Sequence, residues 1–298
     1  QRDVYRNMTF RNLRIPSGNN GRFINCTFIG TTYVQTSIDC EHPNWNYLGA
    51  LEQVSDDDGE YTYERKFEGL ELAPGPDGDG TVEDTKPLSN NLIFESCTFV
   101  GAIAGDRPSG YTHWRNKLQF TGATRFYLNT DDTTLSDQDD AETIISEIES
   151  FTDEENDYFA RSTMMMPGWS IDVGNFENSQ AEEWESTPAV NLRGIIVAGI
   201  LDARGTVNVN GTLLMTFRPT AGTGPLFYGG TCDQFNTTLG YFGPLDGDME
   251  GPDPDGEGFN GFGEIRLIYD SEARLPDGIP WPITVEAVSE TYTEGAYR

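Results

Sequence analysis

Acidic residues are concentrated between residues 244 and 263, in a segment that is also rich in glycine and proline. The first, third, fifth, sixth and twelfth positions of a calcium loop of the EF-hand type are matched by Asp246, Asp248, Glu250, Gly251 and Glu257. Carboxylate oxygens on a glycine-rich loop are the hard ligands that Ca²⁺ prefers. The spacing therefore predicts a Ca²⁺ site in this segment.

A second calcium register overlaps the first one. It uses Asp253, Asp255, Glu257, Gly258 and Glu264, and because both registers need Glu257 they cannot form together. Neither register is flanked by a helical pattern, which argues against a true EF-hand. The predicted ligands of a loosely held Ca²⁺ are thus Asp246, Asp248, Glu250, Asp253, Asp255 and Glu257. A solvated acidic turn without metal is the simpler alternative, because such loops are common in proteins that bind no metal.

Two further carboxylates, Asp172 and Asp202, lie near predicted strands, as do Arg193 and Arg204. Cleavage of a polysaccharide needs two or three carboxylates on one face of the protein. These residues follow no recognisable spacing, and the sequence has no GxSxG, phosphate-loop or HExxH motif. The sequence therefore predicts that the protein is not an enzyme, and a polysaccharide-cleaving enzyme is the alternative.

The chain has four cysteines and two histidines, and no CxxC spacing, so a zinc site is poorly supported. Cys26 and Cys97 lie in equivalent apolar contexts, which suits either two stacked core side chains or a disulfide. A disulfide between Cys40 and Cys232 is also compatible with the sequence.

An internal repeat is the most informative feature of the chain. FINCTFIG, which begins at Phe23, recurs as IFESCTFVG from Ile93, with the Cys-Thr-Phe core and the final glycine preserved. Each unit alternates apolar and polar residues and ends in glycine, which predicts a short half-buried strand followed by a turn. We expect Phe28 and Phe99, like Cys26 and Cys97, to point into the core.

Stacking of equivalent short strands buries equivalent side chains in columns. The predicted fold is therefore mainly β, a right-handed parallel β-helix (solenoid) with long acidic loop insertions and one short helix; an ordinary β-sandwich is the alternative. Residues 1–190 would form the rungs, with a helical excursion at 139–160, and residues 191–298 would continue them, so that both regions can belong to one domain.

Two apolar segments stand outside the repeat. Ile144, Ile145, Ile148 and Phe151 form a stripe at helical spacing, which predicts a helix that docks onto the flank of the strands. The segment from Met164 to Trp169 is apolar and adaptable, and it suits internal packing better than a contact with another molecule.

The charge balance limits the partners of the protein. With 19 basic and 49 acidic residues, the formal net charge is −30, which repels nucleic acid and anionic lipid surfaces. Such a charge favours surroundings rich in cations. No run of about 18 to 20 apolar residues predicts a membrane span.

The C-terminal third carries a resemblance to a known group of proteins. The stretches FNTTLGYFGPLDGD, from Phe235, and GFGEIRLIYDSEARLPDGIPWPI, from Gly261, resemble the C-terminal region of exported pilus-assembly or prepilin-like proteins of planctomycete bacteria. The similarity extends over residues 191–283. It departs from pilins in one respect: Gln1 to Phe10 is polar, whereas a pilin has an apolar N-terminal helix, so either that helix was removed or the chain is no ordinary pilin.

The resemblance implies a secreted protein of the cell surface that belongs to a pilus-like extracellular filament, fibre or coat, with no catalytic residues. The expected partners are copies of itself, with other surface proteins or glycans as further partners. The apolar pieces suited to a joint between copies are Met164 to Trp169 and the strand around Trp281, Ile283 and Val285. A glycan-binding adhesin is the other alternative to a structural subunit.

Overall fold

The computed structural model describes slightly more than half of the chain. The described residues are 2–38, 51–55, 61–65, 86–108, 116–128, 130, 135–136, 138–161, 163–174, 189–204, 206–216, 226–227, 230–231, 237–240 and 265–268.

The described residues are mainly β. The strands are β1 (Val4–Arg6), β2 (Thr9–Arg11), β3 (Arg14–Ile15), β4 (Arg22–Ile24), β5 (Thr27–Val34), β6 (Leu51–Ser55), β7 (Tyr61–Arg65), β8 (Asn91–Glu95), β9 (Thr98–Gly105), β10 (Lys117–Thr121), β11 (Arg125–Tyr127), β12 (Met164–Val173), β13 (Val190–Arg204), β14 (Val207–Met215), β15 (Leu226–Phe227), β16 (Gly230–Thr231), β17 (Thr237–Gly240) and β18 (Ile265–Ile268). The helices are α1 (Ala141–Glu149) and α2 (Asp153–Arg161), and Lys86–Leu88 forms one 3-10 turn.

Fourteen strands form one sheet in which every pairing is parallel. A first row runs β1, β4, β8, β10, β12, β13 and β17. A second row runs β2, β5, β9, β11, β13, β14 and β18. Two antiparallel pairs, β6 with β7 and β15 with β16, are separate from this sheet.

The rows join into a closed sheet, so the predicted right-handed β-helix solenoid is wrong. β9, β11, β13 and β12 pair in a ring, which makes a four-stranded parallel barrel to which the other strands are added. The closure depends on the lengths of β12 and β13, which have 10 and 15 residues. The repeat in the sequence contains only short strands and so could not predict these lengths. The length of a strand that spans both rows depends on the strands that pair with it.

Aromatic side chains form two columns inside the sheet. The first column stacks Tyr5, Phe23, Phe94 and Phe120, with ring centroids 4.8 to 5.3 Å apart. The second column stacks Phe10, Phe28, Phe99 and Phe126, at 4.4 to 5.4 Å. Rings of neighbouring columns meet edge to face, an arrangement that aromatic quadrupoles favour. The structure thus places Phe28 and Phe99, each 1% exposed, at the centre of the core.

The turn predicted at the end of each repeat unit lies instead in its middle. Asn25 and Ser96 adopt φ of 53° and 52° between β4 and β5 and between β8 and β9. Asparagine tolerates this left-handed conformation because its short polar side chain hydrogen-bonds locally. The strands then continue through Gly30 and Gly101, which face each other in register.

Two helices are present where the sequence predicted one. α1 lies within the predicted helical segment, and Ile144 and Ile148 pack against Ile29, Val100 and Tyr127 on the outer side of the second row. α2 is largely acidic and contacts β13, with Phe159 buried. α2 lies within the predicted helical excursion at 139–160 except for its last residue, and the break between the two helices was not predicted.

The segment from Met164 to Trp169 belongs to β12. Met164, Met166 and Trp169 are fully buried, and the Trp169 indole N–H donates to the Asp106 carbonyl oxygen at 2.8 Å. This segment therefore packs internally, as its sequence favoured, and its burial argues against the alternative role as a joint between copies. The other suggested joint, around Trp281, Ile283 and Val285, lies outside the described residues.

Candidate functional site

The candidate site is the edge formed by β1, β2 and β3, which we call the N-terminal edge. Among the described residues, β1 pairs only with β4, and β2 and β3 pair only with β5. Tyr5 and Phe10 end the two aromatic columns here and are half-buried, whereas the next members, Phe23 and Phe28, are buried. The hydrophobic core therefore reaches solvent at this edge.

Backbone groups on this edge are also directed outward. The Arg22 N–H donates to the Asp3 carbonyl oxygen at 2.8 Å, and the Asn7 N–H donates to the Ile24 carbonyl oxygen at 3.0 Å. Successive backbone groups of a strand alternate in direction, so the N–H groups of Val4 and Arg6 point away from β4. An edge of this kind is a template for pairing with another strand.

The N-terminal edge is basic although the chain is acidic. Residues 1–22 contain five arginines and one aspartate, a net charge of +4, which leaves 14 basic and 48 acidic residues, a net charge of −34, for residues 23–298. Arg6, Arg11 and Arg14 are exposed on the edge strands. Arg11 forms an ion pair with Glu147 of α1, whereas Arg6 has no ion-pair partner in the described part of the chain.

Among the strands that the structure describes, the two rows end at β17 and β18. Within the described ranges, β17 pairs only with β13, and β18 pairs only with β14. Leu267 is in register with buried Val209 and thus belongs to the second inner column, yet it is 49% exposed. Ile268 is 54% exposed. The end strands have the same direction as β1 and β2, because every pairing between them is parallel.

The predicted calcium ligands, Asp246 to Glu257, lie outside the described residues, as do Cys40 and Cys232. Within the part of the chain that the structure describes, no group of three or more His, Cys, Asp or Glu side chains is placed to hold a metal ion. The calcium site therefore stays a prediction.

Cys26 and Cys97 are free thiols in the core, 1% and 0% exposed. They follow the turns at Asn25 and Ser96, and the Thr98 N–H donates to the Cys26 carbonyl oxygen at 2.9 Å. Burial raises the pKa of the Cys97 thiol from 9.0 to about 12. The thiol is therefore neutral and unreactive in the folded protein at neutral pH.

The Cys97 pKa predicts an alkaline loss of stability. Above pH 9 the thiol of Cys97 loses its proton in the unfolded chain but keeps it in the folded protein. The contribution of this proton to the free energy of unfolding is therefore complete below pH 9 and is lost as the pH rises towards about 12. Cys97→Ala should reduce the decline in unfolding free energy by up to about 1.4 kcal/mol per pH unit. Urea titrations between pH 8 and pH 10.5 measure both slopes, and equal slopes in the two proteins would contradict the assignment.

The structure brings together two carboxylates that are 30 residues apart in the sequence. Asp172 and Asp202 are register partners on β12 and β13, and both are on the outer side, since Ile171, Val173 and Leu201 point inward. Asp172 also forms an ion pair with Lys117 of β10. Parallel pairing of distant strands produced this pair, so no spacing in the sequence could predict it. Arg193 faces Asn210 in register, away from the two carboxylates.

A buried asparagine cluster was missed by the sequence analysis. Asn90 and Asn116 are fully buried, and the Asn116 side-chain oxygen accepts from the Asn90 N–H at 3.1 Å and from the Thr36 hydroxyl at 2.7 Å. The Asn90 amide donates to the carbonyl oxygens of Pro16 and Gln35 at 2.9 and 2.7 Å. These contacts hold the turns before the first-row strands. The sequence feature that could have revealed this cluster is the asparagine that directly precedes both β8 and β10.

No protein-family model matches this chain, and no curated protein or solved structure matches it. Neither of the helices in the described ranges is long and apolar enough to cross a membrane.

Proposed function

We propose that this protein is a structural subunit of an extracellular surface fibre, pilus-like filament or coat, and that it associates with copies of itself. The observation that carries the proposal is the N-terminal edge, where two stacked aromatic columns end at half-buried Tyr5 and Phe10 beside outward-directed backbone groups. An edge that exposes core side chains and unpaired strand groups favours association.

Surface residues at the edge add to its apolar character. Val4 and Met8 are 48% and 45% exposed, and they lie next to the ends of the aromatic columns. Stable contacts between proteins bury roughly 1,200 Å² or more, with an apolar centre and a polar rim. The apolar edge with its surrounding arginines has this composition.

Net charge should control the association. Copies with a net charge of −30 repel each other over a Debye length of about 30 Å at 0.01 M salt but only about 8 Å at 0.15 M. We therefore expect monomers at low ionic strength, and oligomers when NaCl or millimolar Ca²⁺ screens or bridges the charges.

Sedimentation velocity and electron microscopy across a NaCl and Ca²⁺ series test the proposal. The expected result is a shift from a 33.1 kDa monomer to large particles with ordered contacts as the salt concentration rises. A protein that remains monomeric throughout would contradict the structural function and favour a monomeric adhesin. A series in MgCl₂ at matched ionic strength separates screening from specific binding of Ca²⁺.

A further inference from the structure

We propose that Lys117 and Asp172 become joined in the folded chain by an amide bond between the Lys117 Nζ and the Asp172 Cγ, and that the Asp202 carboxyl group assists the reaction. The bond would fasten β10 to β12 on the outer side of the first row. It forms within a single chain, so the inference is independent of the proposed self-association.

The three side chains lie on three successive strands. β12 lies between β10 and β13, and the Lys117 ammonium forms an ion pair with the Asp172 carboxylate. On the side of β13, Asp172 is in register with Asp202. Because neighbouring strands are about 4.7 to 4.9 Å apart, the second carboxyl group can exchange a proton with the first directly or through one water molecule. The structure thus places an amine, a carboxyl group and a proton carrier side by side.

The reacting pair is partly shielded from water. The side chains of Lys117 and Asp172 are only 24% and 13% exposed. Ile93 and Ile200 lie on the same outer side of the neighbouring strands β8 and β13, and both are half-buried. Loss of water from a carboxyl group is favoured where the reacting groups are held together and bulk water is excluded.

The type of residue at position 117 decides which ion pair can react. Lysines make up only 3 of the 19 basic residues of the chain. Arginine supplies the cation in three other ion pairs, Arg11–Glu147, Arg22–Glu95 and Arg125–Asp140. A guanidinium keeps its proton in proteins, whereas the amine of lysine becomes a nucleophile once it has lost a proton. Of these four pairs, only Lys117–Asp172 can therefore condense.

The reaction is a condensation, and its atoms and charges balance within the three side chains. The Lys117 ammonium passes one proton to the Asp172 carboxylate, which leaves a neutral amine and a carboxylic acid. The lone pair of Nζ attacks Cγ and forms the C–N bond. Asp202 accepts a second proton from the nitrogen and gives it to the departing hydroxyl group, so that the C–O bond breaks and one water molecule leaves. Groups held in this way react as if at about 10⁵ to 10⁸ M, which offsets the competing hydrolysis by water.

Mass spectrometry of the intact chain tests the inference. We expect a mass below that of the sequence by one water molecule, about 18 Da. Trypsin should then release residues 116–125 joined to residues 162–193, because trypsin does not cleave after the modified Lys117. Succinimide formation at an Asp-Gly sequence also loses one water molecule, but it joins no two peptides. Absence of the joined peptides would overturn the inference and leave Lys117 and Asp172 as an ion pair.

Three conservative variants separate the roles of these residues. Lys117→Arg keeps the positive charge without the amine, and it should have the full mass of its sequence. Asp202→Asn keeps the reacting pair but removes the proton carrier, so the rate of water loss after cell-free synthesis should fall about 100-fold or more. Lys86→Arg makes the same exchange at the lysine of the 3-10 turn, and it should lose water like the wild-type protein.

Circular dichroism of each variant shows that the fold is retained, so that a missing bond is not caused by unfolding. Water loss with joined peptides in Lys117→Arg, or its disappearance in Lys86→Arg, would overturn the assignment of the amine. An unchanged rate in Asp202→Asn would overturn the part assigned to Asp202. None of these results depends on the oligomeric state, so they leave the proposed function to its own test.

Discussion

Replacing Phe99 by alanine is expected to lower the free energy of unfolding by about 3 to 5 kcal/mol. Phe99 is 1% exposed, and its ring stacks on Phe28 at 4.7 Å and on Phe126 at 4.4 Å. Removing the ring takes away its transfer free energy and leaves a cavity between two rings that strand pairing holds in place. The same reasoning and magnitude apply to Phe28→Ala.

Phe10→Ala is the matched control for the Phe99 prediction. Phe10 stacks on Phe28 at 5.4 Å in the same column, but it is half-buried at the N-terminal edge and has a ring neighbour in the column on one side only. We expect a cost of about 1 to 2 kcal/mol, because water can reach the space that the ring leaves. Equilibrium unfolding in urea, followed by circular dichroism, measures all three variants. Equal losses for Phe10→Ala and Phe99→Ala would show that the columns do not form the core as described.

Gly101→Ala is expected to destabilise the protein by about 3 kcal/mol or more, by strain and clash. Gly101 has φ of 129°, a conformation that L-residues rarely adopt. A Cβ there would approach the carbonyl group of Gly30 on the neighbouring strand, to less than 3.0 Å from its oxygen. Because the opposing atoms belong to the backbone of a paired strand, they cannot move without breaking the β5–β9 pairing.

Gly21→Ala separates the effect of backbone geometry from that of glycine replacement in general. Gly21 is also buried, but an added Cβ would mainly meet the end of the Asn19 side chain and the edge of the Tyr5 ring, and no backbone atom is among its three nearest neighbours. We expect a loss below about 1 kcal/mol for this variant. Thermal and urea unfolding of both variants provide the comparison. A Gly101→Ala protein as stable as Gly21→Ala would mean that β5 and β9 are not as close at Gly30 and Gly101.

The repeat in the sequence predicted which side chains stack in the core, but it did not predict that the sheet closes into a ring. FINCTFIG and IFESCTFVG are register partners, so that Phe23 lies on Phe94 and Phe28 on Phe99. The position of the turn was predicted wrongly. Each repeat unit ends in glycine, which was interpreted as the turn after a strand. A strand can, however, continue through a glycine where a neighbouring backbone comes close.

The candidate assembly surface could be predicted only in part. The excess of arginine in residues 1–22 is visible in the sequence, as is the alternation of Tyr5 and Phe10 with polar residues. Whether these strands lie at an edge or in the middle of the sheet depends on which strands pair, and pairing depends on contacts between residues far apart in the chain. Internal packing of Met164 to Trp169 was the favoured prediction and is confirmed, whereas its alternative use as a joint between copies is not supported, because β12 is enclosed by β9, β10 and β13.

The sequence by itself determined the mainly β class, the stacked phenylalanines and the apolar face of α1, because each follows from local periodicity or from an echo between similar segments. The tertiary structure alone decided the closed ring of β9, β11, β13 and β12, the pairing of Asp172 with Asp202, and the exposure of the N-terminal edge. These features depend on strand neighbours that are distant in the chain. Hydrophobic pattern specifies which side of a strand is buried, and it does not specify which strand lies beside it.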